Sequence, residues 1–293
     1  MTWRRAAAVA GPAALAACVP PPVVTTPPPP PQVAPPAPRL LAGDFRLDRA
    51  PAQGGIAFGT LPPGLHGLTL DGRPVGVAPD GRFLIGFGRD HGPVALLEAR
   101  TATGDIVRQP LAVMPRAWDV QSLPTLRRGT SPSAAFLARR KPELEQIAAA
   151  RALRSGSDGW RQRFVWPVTG RISGIFGSQR IYAGEKGDFH GGVDVARPTG
   201  TPIVAPADGV VVLAAAAPFT LEGNLLIVDH GMGLTSAFLH LSRIDVGVGQ
   251  RVRQGQPLGA IGATGRVTGP HLHWALVWDG QRIDPQPIVG PMG

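Results

Sequence analysis

The sequence predicts a mainly β protein, with two β domains joined by one helical connector. Three observations carry this expectation. Between residues 39 and 123, turn signals at Asp71-Gly72, Asp80-Gly81, His91-Gly92-Pro93 and Thr103-Gly104-Asp105 separate short apolar runs such as Phe83 to Phe87 and Val94 to Leu97. Turns spaced roughly ten residues apart are the pattern of a small β-sandwich. Residues 133–154 are the only strongly helical stretch, rich in Ala, Arg and Leu/Ile. From Phe164 to the end the β pattern returns, with turns at Ala207-Asp208-Gly209, Asp229-His230-Gly231 and Asp279-Gly280 and no helical periodicity. Val210 to Leu213, Leu225 to Val228, Leu234 to Leu239 and Leu272 to Val277 read as its strands.

The composition agrees. Of 293 residues, 43% are hydrophobic and 17% charged, so the chain can bury a core. Eleven of the 33 prolines fall between Pro20 and Pro38, which concentrates the unusual composition in one linker. No run of about 20 apolar residues follows residue 40, which excludes a polytopic helical membrane protein. The single cysteine excludes a disulfide framework and a cysteine-based metal site.

Each segment then has its own reading. Residues 1–17 have the form of an export signal, with Arg4 and Arg5 before an apolar stretch from Ala6 to Ala17. Leu15-Ala16-Ala17-Cys18 resembles the lipobox of bacterial lipoproteins, which implies acylation of Cys18, a membrane anchor and a location in the cell envelope facing the periplasm. Residues 18–38 are then a lipidated cysteine followed by a semi-rigid polyproline spacer, with a reach of roughly 60 Å.

The connector, residues 124–163, is expected to begin a second helical segment at Pro142 and to close at Gly156. Leu144, Ile147 and Ala148 form its apolar stripe. Arg127, Arg128, Arg139, Arg140, Lys141, Arg151, Arg154, Arg161 and Arg163 against Glu143, Glu145 and Asp158 place a net +6 of the total +9 here. A solvated connecting helix is the plainer reading of that charge; a basic arm that meets an anionic partner or covers the active site is the sharper one. No zinc finger or aromatic RNA platform accompanies it, so nucleic acid is not an expected partner.

Five of the seven histidines fall late: His190, His230, His240, His271 and His273. The other two, His66 and His91, sit in Gly/Pro-rich stretches and read as surface loop residues. In His-Leu-His, strand alternation puts His271 and His273 on one face and Leu272 and Trp274 on the other. His190-Gly-Gly-Val-Asp194 adds an imidazole and a carboxylate. Such a donor set suits zinc, whose catalytic sites use three N or O ligands and leave a position for water. Calcium would call for more oxygen donors, and an electron-transfer copper site for a cysteine.

The motifs Phe176-Gly-Ser-Gln-Arg180, Phe189-His-Gly-Gly-Val-Asp-Val-Ala196, Gly200 to Val211, Ile227-Val-Asp-His-Gly231, Phe238-Leu-His-Leu-Ser242 and Gly262 to Trp274 closely resemble the lysostaphin-like (LytM-type) zinc metallopeptidases, over about residues 164–286. The resemblance implies an antiparallel β-sheet peptidase domain that cuts peptidoglycan stems or cross-bridges. It implies one zinc ion held by His190, Asp194 and His273, with His240 and His271 as the catalytic pair and His230 in a structural turn. Phe238 stands where many members have tyrosine. No His-Glu-x-x-His helix is present, so no glutamate base is implied.

Two other functions compete. Some LytM-type lipoproteins are non-catalytic regulators that activate a cell-wall amidase, but those have lost zinc ligands, whereas the set here is complete. A biotinyl or lipoyl carrier is suggested by the hairpin-rich run from Val246 to Gly259, yet a carrier needs a lysine at its hairpin tip and none follows Lys186.

Overall fold

Alternation of apolar and polar residues builds the N-terminal strands. In Val94–Thr101, Ala95, Leu97 and Ala99 are buried while Val94 and Arg100 face solvent. This strand is central in a five-stranded sheet ordered Leu40–Ala42, Ile106–Ala112, Val94–Thr101, Leu65–Leu70, Arg73–Pro74, and Ile56–Thr60 pairs separately with Arg82–Gly86. The hairpin between Leu70 and Arg73 turns on Asp71 and Gly72, both at positive φ (50° and 75°), the conformation of a type I′ turn. The structure is a computed structural model and describes residues 38–127 and 132–292. The export signal, Cys18, the linker through Ala37 and Arg128 lie outside the described residues.

The C-terminal half is a mostly antiparallel sheet. Its central order is Gly209–Ala214, Asn224–Gly231, Leu234–Ile244, Leu272–Trp278, Val193–Ala196, Arg171–Gly174. The expected turn at Asp229-His230-Gly231 is instead the end of a strand. The chain reverses at Met232 and Gly233, which carry the positive φ values (51° and 79°) that a two-residue hairpin requires. A short helix, Gln286–Val289, interrupts the expected all-β character near the end.

This sheet has two buried faces. Leu226, Val228, Phe238, Leu272, Trp274 and Leu276 face a large core that continues into the N-terminal strands through Phe83, Leu84, Ile85 and Phe87. The two halves approach closely enough at Gly86 that a Cβ there would meet Trp278 and Ile283. A parallel pair, Val120–Leu123 with Gln179–Tyr182, also ties the halves together. On the opposite face, Leu225, Ile227, Ala237 and Ala275 pack with Ile147 and Ala150 of the connector helix.

That helix, Ala134–Ala152, is capped by Ser133, whose hydroxyl accepts the Phe136 amide hydrogen at 3.2 Å. It differs from expectation in three ways. Pro142 lies inside one continuous helix. An internal proline typically costs about 3 kcal/mol, and tertiary contacts on both sides of it offset this here: Arg140 is ion-paired to the sheet domain and Ile147 and Ala150 are buried on it. The inward face is Arg140, Ile147 and Ala150, while Leu144 and Ala148 are exposed. Nor are all of the connector's charges free: Arg140 is buried, and Arg154 and Arg161 pair with Asp279 and Asp80.

His230 sits on the core face, fully buried, with one ring nitrogen 2.8 Å from the Asp208 carbonyl and the other 2.8 Å from the Ser236 hydroxyl. Burial pushes its pKa down to about 4, outweighing the Asp208 carbonyl, so the native imidazole stays neutral where the unfolded one charges. Between pH 6.5 and 4 the unfolded chain therefore binds the extra proton, and stability falls as pH is lowered through this window. The expected loss is up to about 3 kcal/mol, measurable by urea denaturation across pH, and His230→Gln should remove that component of the slope.

Candidate metal centre

Cross-strand register builds the centre. Val193–Ala196 pairs antiparallel with Leu272–Trp278 so that Asp194 stands directly opposite His273 on the face away from the large core. Four residues before Asp194, the chain brings in His190. Asp194 Oδ1 lies 3.0 Å from His190 Nε2 and 2.8 Å from His273 Nδ1, and the two ring nitrogens are 3.0 Å apart. Two glycines make room. A Cβ on Gly174 would collide with the Asp194 carboxylate, and one on Gly192 with His273 and the Trp274 carbonyl.

One donor is oriented by a backbone carbonyl. His190 Nδ1–H donates to the Ile175 carbonyl (3.0 Å), which aims Nε2 at Asp194. Burial acts to raise the Asp194 carboxyl, but hydrogen bonds and charge from His190 and His273 hold it well below the usual carboxylate range. Burial likewise acts to lower His190, and Asp194 prevails to raise it, whereas for His273 burial prevails and the pKa falls. Three donor atoms, two N and one O, thus converge within 4.8 Å of one another. Tetrahedral zinc with bonds near 2.0–2.1 Å separates its ligand atoms by about 3.3 Å, so this trio fits one zinc ion with small adjustment.

Two more histidines border the trio. His271 Nδ1–H donates to the Gly269 carbonyl at 2.8 Å, and its Nε2 is 3.8 Å from Asp194 Oδ1. His240 Nδ1–H donates to the Thr264 carbonyl at 2.8 Å. The His240 ring lies 5.0 Å from that of His271 and 6.2 Å from that of His273, centroid to centroid. Burial pushes His240 down to about 4, against the Thr264 carbonyl, so it is neutral at neutral pH with Nε2 free to accept.

His240 reaches this face only through a backbone irregularity. Phe238 and Leu241 both enter the large core, and the pairing shifts between Leu226 opposite Phe238 and Asn224 opposite Leu241. The two residues between them, Leu239 and His240, absorb the extra position as a β-bulge, with His240 at φ 64°. Simple alternation would have put His240 with Phe238 in the core.

All five sequence-selected residues, His190, Asp194, His240, His271 and His273, are therefore brought to one place. His66 is exposed on the strand Leu65–Leu70, not in a loop, and His91 is 3.0 Å from the Asp71 carboxylate; neither joins the centre. Phe238 is fully buried and points away from it. Missing from the sequence reading were the carbonyls of Ile175, Thr264 and Gly269, which carry no side-chain signal.

The model of peptidase family M23 matches residues 188–285, which contain all five. A crystal structure named for peptidase M23 from Pseudomonas aeruginosa is 33% identical, with a TM-score of 0.63, over 83% of this chain and 96% of that one. The chain belongs to peptidase family M23. Its relatives include the peptidoglycan DD-endopeptidases ShyA and ShyC of Vibrio cholerae. ShyA is 40% identical over 45% of this chain and 30% of its own length. For ShyC the identity is 37%, over 46% of this chain and 27% of its own length. The chain thus spans less than a third of the length of these two M23 relatives.

Proposed function

We propose that this M23 peptidase is a zinc-dependent endopeptidase that hydrolyses peptide bonds in peptidoglycan. The observation that carries the reading is the complete set of five side chains at one point of the sheet, inside the residues matched by the family. His190 Nε2, His273 Nδ1 and Asp194 Oδ1 are the zinc ligands. Zinc bound there supplies Lewis-acid polarisation of the scissile carbonyl and a water acidic enough to attack near neutral pH.

The protein's own groups handle the protons. His240 and His271 each have Nδ1–H committed to a backbone carbonyl, which leaves each Nε2 facing the centre. Each ring can take a proton from the attacking water, and once charged can donate to the oxyanion or to the departing amine. The fixed carbonyl partners hold the tautomer, so neither ring must reorient during the reaction.

The names of the Vibrio cholerae relatives, DD-endopeptidases, support direct cross-links between D-centres as the bond cut, over glycyl bridges. The intact donor set speaks against a non-catalytic activator of an amidase. Export and anchoring through acylated Cys18 complete the reading, with peptidoglycan in reach of the proline-rich spacer; among the described residues no helix is long and apolar enough to cross a membrane.

His240→Ala and His271→Ala should each lower kcat on a cross-linked muropeptide by at least about a hundredfold while zinc stays bound, and His190→Ala should lose both activity and metal. Mass spectrometry of the released muropeptides and metal analysis of each variant check this. An inert wild-type protein that stimulates an amidase would favour the regulator instead. Cys18→Ser should shift the protein from the membrane to the soluble fraction or leave it unprocessed, read by fractionation and immunoblot; unchanged membrane association would reject the anchor.

A further inference from the structure

The loop between strands Gly209–Ala214 and Asn224–Gly231 is held from two sides. From the sheet side, its Glu222 carbonyl accepts the His240 amide hydrogen at 2.8 Å, and its Leu221 carbonyl accepts the Arg266 amide at 3.0 Å. Gly223 packs against Thr264 without room for a Cβ, and the Thr264 hydroxyl accepts the Asn224 amide at 2.9 Å. The same Thr264 supplies the carbonyl that fixes the His240 ring. The loop therefore supports both the backbone and the ring of His240.

From the helix side, the connector grips the loop through charge. Arg140 meets the Glu222 carboxylate with both terminal nitrogens, at 2.6 Å and 2.5 Å, and reaches Glu143 at 2.7 Å. Glu143 in turn accepts the Thr220 amide at 2.7 Å and the Thr220 hydroxyl at 2.6 Å. The three charged side chains are only 11–16% exposed. A bidentate Arg–carboxylate pair shielded from water fixes geometry as well as position. Arg140 and Glu143 precede the family-matched residues 188–285, and both belong to the connector helix.

We propose that Arg140 and Glu143 are positioning residues for His240: through Glu222 and Thr220 they hold the loop that keeps His240 in its left-handed backbone conformation and its ring at the metal centre. Arg140 and Glu143 thereby act on the reaction through His240, without touching the reacting atoms. A non-glycine residue at φ 64° persists only where its surroundings over-determine it, and the Glu222 and Thr264 carbonyls are the two contacts that do so. The proposal rests on His240 acting in the reaction.

The test uses the zinc-loaded full chain on a soluble cross-linked muropeptide. Arg140→Met should lower kcat at least about tenfold with KM and zinc content unchanged, since a misplaced reacting group costs turnover more than binding. Hydrogen exchange at the His240 amide should accelerate in parallel. Glu222→Gln, of equal size, should give the same signature more weakly, and Arg140→Lys should restore only part of kcat because an ammonium cannot form the fork. Lys141→Met, which removes an exposed charge from the same helix without touching the loop, should leave kcat unchanged. Should Arg140→Met fail to fold, Glu143→Gln and Thr220→Val provide the same exchange readout. Unchanged exchange at His240 in the folded variants, or an equal fall in kcat from Lys141→Met, would overturn the proposal. If His240→Ala itself kept full activity, its catalytic role would fail, and exchange at its amide would still decide whether the clamp positions it.

Discussion

The pairing of Asp194 with His273 across two antiparallel strands is the contact on which the rest depends. It fixes which faces of both strands turn toward the site and which turn toward the core. Once Asp194 and His273 face one way, Leu272, Trp274, Val193 and Val195 must face the other, and all four are buried there. A slip of one residue would exchange the Asp194 and His273 donor groups for core side chains. The register is therefore specified by the same apolar burial that stabilises the fold, and the donor geometry follows without any separate device.

The second constraint is local strain. An edge of the site has to be built from the strand Leu234–Ile244, whose ordinary alternation gives its neighbours to the core. The bulge at Leu239 and His240 solves this at the cost of a left-handed backbone, of the order of 1–3 kcal/mol. Its support comes from carbonyls on two neighbouring loops. One of those loops is tied through buried charges to a helix more than 70 residues upstream. The division of labour is plain: paired strands set Asp194 and His273, two of the three proposed zinc donors, and the loops with the connector helix set His240.

Much of this was legible in the sequence. The His-Leu-His pattern sets the exposed and buried faces by alternation alone, and Leu272 and Trp274 lie in the core as that rule requires. The strands from Val210 to Val277 followed from short apolar runs between turns. What escaped has identifiable physical causes. The Asp-His-Gly run imitates a turn, but its residues still pair in the strand, and the chain reverses on the next two, Met232 and Gly233. Arg140 reads as surface charge by composition, because its partner Glu222 is 82 residues away and only tertiary structure makes the pair. Pro142 reads as a helix start because the contacts that carry the helix through it are likewise tertiary. Backbone carbonyls such as those of Ile175 and Thr264 leave no trace in residue identity at all.

The central claim is that one zinc ion joins the two paired strands through His190, Asp194 and His273. X-ray absorption at the zinc edge on the zinc-loaded protein, combined with metal analysis, tests it most directly. The expected result is about one zinc per chain with two imidazole nitrogens near 2.0–2.1 Å and one carboxylate oxygen near 2.0–2.2 Å, and the imidazole signal unchanged in His240→Ala and His271→Ala. Loss of an imidazole ligand in either of those two variants, or no zinc bound by the intact chain, would contradict it.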